Sequence, residues 1–157
     1  MESPLHPVDR AFARLDLLIR ERRDLRAEFA RAIAGFGGGA PVSEHEARLW
    51  LRRALEWFVL ERPRDGSSAP PFADLLEASP DDPADAVRES AAALRGSLVS
   101  IFEVTGVEAG RGVWLRDLAA LGEYPASEPA ASAIFARGDL VAGRIFPLAD
   151  ASWHVSR

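Results

Sequence analysis

The chain changes character near residue 97, and that change constrains its fold more than any other feature. Before it, apolar residues recur every three or four positions, the period of an amphipathic helix. After it they come in short runs cut by turn residues, the mark of strands. The runs are SLVSIFEVTGV, GVWLRDLAAL, the looser YPASEPAASAIF, DLVAGRIFPL and SWHVS, divided by Glu108-Ala109-Gly110-Arg111-Gly112, Leu121-Gly122-Glu123, Arg137-Gly138 and Ala149-Asp150. Five such runs predict a β-meander closing part-way into a small antiparallel barrel. The expected fold class is α+β, with a helical region over residues 1–96 packed as one compact unit on a barrel over 97–157.

Residues 9–34 carry Phe12, Leu15, Leu18, Ile19, Leu25, Phe29 and Ile33 at helical spacing, which predicts one amphipathic helix after Pro7. The run Gly35-Phe36-Gly37-Gly38-Gly39-Ala40-Pro41 ends it, because glycine accepts left-handed cap conformations and proline cannot continue a helix. Ser43 and Glu46 form a capping-box pattern that opens a second helix, running to about residue 61. Trp50, Leu51, Ala54 and Phe58 make one stripe of that helix, and Leu49, Leu55, Trp57 and Leu60 fill its flanks. It is expected to be the central helix, with Trp50 and Phe58 in the core. A two-turn helix over 72–78 and a fourth over about 83–95, with Asp82 as N-cap and Pro83 at the first helical position, complete the set of four.

Composition removes several chemistries. At 157 residues and 48% hydrophobic content, the chain can bury a core without staples. It has no Cys, so disulfides, thiolate nucleophiles and Cys-ligated zinc or iron–sulfur centres are excluded. All 19 basic residues are Arg, which excludes a P-loop and Schiff-base catalysis, both of which need a Lys amine. The first ten residues show no leader pattern and no segment is long enough to span a bilayer, so a cytoplasmic protein with no membrane contact is expected. The net charge of −5 includes −4 over residues 63–95 and −2 over 96–157. A nucleic-acid surface needs clustered cations, so this balance counts against one.

Three short motifs, Trp57-Phe58 before Glu61-Arg62-Pro63, then Leu115-Arg116-Asp117-Leu118, then Gly138-Asp139-Leu140, resemble a group of bacterial proteins related to those with the SEC-C motif. The likeness covers roughly residues 45–155. It implies a helical region leading into strands, and it implies no activity. Relatives named for SEC-C end in a Cys/His zinc module; this Cys-free chain departs from them there, so the resemblance brings no metal centre.

The candidate binding set is Trp114, Arg116, Arg144 and Trp153, with Arg111 and Arg137 nearby. Arginines interleaved with aromatics on a small barrel suit stacked bases in a basic groove. The competing reading pairs these arginines with Glu103, Asp117, Glu123 and Asp139 as an ordinary outer surface. Gly138-Asp139 reads as a turn in which glycine takes a positive φ and the carboxylate binds backbone amides. His6, His45 and His154 share no ligand spacing, so no metal or other cofactor is expected; His154 is expected at the surface of a terminal strand. The run from Arg20 to Arg26 alternates sign and reads as solvated helix surface. No nucleophile elbow or glycine-rich phosphate loop is present, so no catalytic residue is nominated. The function expected is that of a non-catalytic adaptor acting through a protein partner or a second copy. A nucleic-acid module using the Arg/Trp face comes second, and an enzyme using Asp/Glu acid–base chemistry third.

Overall fold

The computed structural model describes residues 6–37, 41, 43–63, 66 and 84–156. The chain divides into two units, one reaching to Ala91 and the other formed by Ala92–Ser156.

In the first unit the stretch expected as one helix is two, α1 (Pro7–Glu21) and α2 (Arg23–Ala34). Arg22 between them is extended, with φ −86° and ψ 113°. Pro7 opens α1, and His6 Nδ1 accepts the Val8 amide at 3.3 Å. The third helix, α3 (Glu44–Leu60), starts where Ser43 Oγ accepts the Glu46 amide at 3.1 Å. That bond satisfies one of the amides a helix start leaves open. Val8, Phe12, Leu15 and Ile19 of α1 are buried, as are Ala54, Leu55, Phe58 and Val59 of α3. Phe58 is fully enclosed and meets Phe29 edge-on, with ring centroids 5.0 Å apart.

The first half of α3 is more open than its all-round apolarity suggested. Trp50 is half-buried, edge-on to Phe36, and Leu49 and Leu51 are exposed. Charge is buried further along: Arg52 bonds Glu56 at 3.0 Å and lies 4.0 Å above the Phe12 ring, while Arg62 bonds Glu28 at 2.7 Å. The expected helix over 72–78, and Asp82 and Pro83, lie outside the described residues. The fourth helix is α4 (Ala84–Arg95).

The second unit is a barrel of β1 (Leu98–Glu108), β2 (Gly112–Asp117), β3 (Glu123–Ala126), β4 (Leu140–Pro147) and β5 (Trp153–Val155). A short helix, α5 (Ala131–Ile134), lies between β3 and β4, inside the segment expected to be strand throughout. The strand order is β1-β2-β3-β5-β4, closing back on β1. Two expectations are corrected here. The barrel is fully closed, and it is mixed, because β3 and β5 run parallel where Ala126 meets Trp153.

β1 makes closure possible. Its Leu98–Glu103 half pairs with β4, its Phe102–Glu108 half pairs with β2, and a bulge between Val104 and Gly106 bends the strand. Phe102, Val104, Val113, Leu115, Ala126, Ile145 and Val155 fill the interior. Each large side chain among them contributes about 1.5–3 kcal/mol by leaving water. This connectivity, with a helix between the third and fourth strands, is that of OB-fold barrels.

Candidate functional site

Alternation along β2 sorts its side chains. Val113, Leu115 and Asp117 point inward and are buried; Trp114 and Arg116 point outward. Arg116 lies in register between Glu103 on β1 and Glu123 on β3, and its guanidinium meets their carboxylates at 3.5 and 3.3 Å. Its charge is therefore neutralised from both sides. Trp114 stands beside Pro125 of β3, and its indole N–H donates to Glu108 at 2.8 Å.

Beside this pair lies a cleft of about 170 Å³, lined by Glu108, Arg111, Gly112, Trp114, Pro125 and Ser127 among others. The β1–β2 turn above it is fixed: the Gly110 amide donates to Ser132 Oγ of α5 at 3.0 Å, and Ser132 Oγ donates to the Pro129 carbonyl at 2.7 Å. Gly112 forms its floor, where any Cβ would overlap the Ala126 carbonyl oxygen of β3.

The four residues proposed as one Arg/Trp face do not share one. Trp114 and Arg116 do. Arg144 is buried on β4, donating to Ser97 Oγ at 2.7 Å, and Trp153 turns inward against Tyr124, ring centroids 4.8 Å apart. His154, expected at the surface, is buried, with Nδ1 3.5 Å from the carboxylate of Glu128, itself buried. The register sets the two faces: Trp153 shares the face of Val155 and packs on the core, while its neighbour His154 opposes Phe146 on the other face, where it meets the buried Glu128 carboxylate.

The two motifs in the barrel both have structural roles. Within Leu115-Arg116-Asp117-Leu118, Leu115 fills the core and Arg116 joins three strands. Asp117 is a turn cap and not the arginine partner expected of it: its Oδ1 accepts Ser100 Oγ at 2.5 Å and the Ala119 and Ala120 amides at 2.8 and 3.2 Å. Those bonds, that from Ser100 foremost, hold its carboxyl below the ordinary 3.8. In Gly138-Asp139-Leu140, Gly138 has φ 94° and Asp139 Oδ2 accepts the Ala136 amide at 2.8 Å.

An apolar outer face was not singled out from the sequence. Leu118, whose amide donates to the Ile101 carbonyl, lies beside Ile101, and Ile101 pairs with Ala142 of β4. Val99 and Leu140 flank that row. Val99, Ile101 and Leu140 are 57, 52 and 67% exposed. In the following turn Leu121, at φ 60°, is 93% exposed. The signal was present in LVSIFEV, which is apolar in both parities, whereas a strand with one wet face alternates.

No family model, no curated protein and no solved structure matches the chain. Among the described residues no helix is long and apolar enough to cross a membrane, and no three His, Asp or Glu side chains gather as metal ligands.

Proposed function

We propose that the chain is a non-catalytic interaction module, an adaptor that binds a protein through the outer face of its barrel. One observation carries this reading: Val99, Ile101 and Leu140 on adjoining strands, with Leu118 in the turn after β2, lie open to water. A contiguous apolar patch rimmed by charge is what a protein interface presents before its partner arrives. Leu121 adds to the argument. A non-glycine residue in the left-handed region costs energy, and this one displays an aliphatic side chain to solvent.

The second reading is a module for single-stranded nucleic acid. OB-type barrels use the β2–β3 face and adjacent loops for oligonucleotides, and Trp114 stands there. The charges of that face weigh against it, since Arg116 is neutralised and Glu108 lies beside Trp114. Kinship with the SEC-C-related proteins is part of the same proposal, and the two barrel motifs behind it serve the fold rather than a reaction.

The test compares the wild-type chain with an Ile101→Glu/Leu140→Glu variant in affinity capture from host cells. The variant is expected to keep its β-sheet circular dichroism and lose the captured protein. Capture of the same protein in equal amount by both chains would refute the reading.

A further inference from the structure

The cleft between the β1–β2 turn and the start of β3 has three properties that together define a ligand. Its walls are tied in place: the Trp114 indole bonds Glu108, Pro125 stands beside it on β3, and Ser132 anchors the turn. Its size, about 170 Å³, suits one ring-bearing side chain rather than a drug-sized molecule. Its charge is unspent on one side, because the exposed guanidinium of Arg111 has no hydrogen-bond or ion-pair partner among the described residues.

We propose that this cleft docks a short extended peptide segment of the partner, in which a proline or aromatic ring is followed by a carboxylate side chain. The ring packs on the apolar shelf that Trp114 and Pro125 form side by side, where a preformed polyproline turn docks with little loss of entropy. Arg111 takes the carboxylate in a two-pronged hydrogen bond. Glu108 keeps one carboxylate oxygen on the indole and offers the other to a peptide N–H, a group that an oligonucleotide backbone lacks. Phosphates entering the same cleft would meet one cation and one anion, a poor match for a polyanion.

This inference rests on the protein-binding reading and names the chemistry of the segment bound. The test uses the full chain and short synthetic peptides carrying two prolines, or a phenylalanine, followed by two aspartates. Controls are the same peptides with asparagines, free aspartate, and a dT oligonucleotide of equal length. The readout is the ¹⁵N indole signal of Trp114, assigned by its loss in Trp114→Phe.

That signal is expected to move in a saturable way with an aspartate peptide at micromolar to about millimolar concentration. Asparagine in the peptide, or Arg111→Gln in the protein, should each weaken binding about tenfold, the scale of a charge-assisted bond. The proposal is overturned if the signal stays still with every peptide at about 1 mM, or moves equally in Arg111→Gln. It is likewise overturned if free aspartate or the oligonucleotide moves the signal as tightly as the peptide. A silent cleft together with partner capture lost in Ile101→Glu/Leu140→Glu would sink this inference alone and leave the protein-binding reading standing.

Discussion

Replacing Gly112 by alanine should damage the barrel more than any other single methyl addition at its turns. The residue sits where β2 begins, and a Cβ there would overlap the Ala126 carbonyl, with the Glu128 amide 3.0 Å away. Both obstacles are backbone, so no side chain can rotate to make room. The Val113–Ala126 ladder step would have to open by roughly 1 Å, a core distortion of the kind that costs about 1–3 kcal/mol or more. The upper end applies because the strand ladder itself moves. For a domain the size of this barrel, about 3 kcal/mol lowers the melting temperature by roughly 12–24 °C.

Gly110→Ala is the control. That site has φ 70° and open space around it, so only left-handed strain is added, about 1–2 kcal/mol. Urea unfolding of both variants, followed by circular dichroism, decides the matter. The reasoning fails if Gly112→Ala unfolds at the wild-type urea concentration, or costs less than Gly110→Ala.

Phe58→Ala should cost about 3–5 kcal/mol and Trp50→Ala clearly less, because only the first ring is fully enclosed; equal losses in urea unfolding would contradict the placement of Trp50. Asp117 titrates lower in the folded chain than its ordinary 3.8, so its contribution to stability is complete above that value and lost as pH falls through the lower folded one. Ser100→Ala should raise the Asp117 carboxyl toward 3.8 in a ¹³C NMR titration, since the Ser100 hydroxyl is the largest cause of the shift. Labelled single-stranded DNA or RNA should bind no tighter than about 10⁻⁴–10⁻⁶ M at physiological salt; sub-micromolar fluorescence polarisation abolished by Arg116→Gln would favour the nucleic-acid reading.

The sequence reveals the strands because their apolar runs are short and cut by turn residues, and because β2 alternates in residue type as a half-buried strand does. It conceals the break at Arg22 because Leu18 and Leu25 stand seven apart, two full turns, so the apolar stripe looks unbroken while an arginine fills its missing step. It also conceals which way Trp153 and His154 face. That parity is set by the turn from Leu148 to Ser152, closed by a 2.9 Å backbone bond with Ala151 at φ 63°, and a shift of one residue would exchange the two. Closure of the barrel rests on a single parallel step at Ala126 and Trp153, too short to leave a pattern. Of the candidate site, Trp114 and Arg116 were legible from alternation within β2. The apolar face is legible only in its β1 part, in the run LVSIFEV; Leu118 and Leu140 join it only because the fold brings the β2–β3 turn and β4 beside β1.

Site-specific photo-crosslinking at position 101 in living host cells tests the central claim most directly. With a benzophenone side chain in place of Ile101, irradiation should give one discrete protein adduct, either another protein or a second copy of this chain, and Leu140→Glu should abolish it. No adduct, or one digested by nuclease instead of protease, would contradict the account.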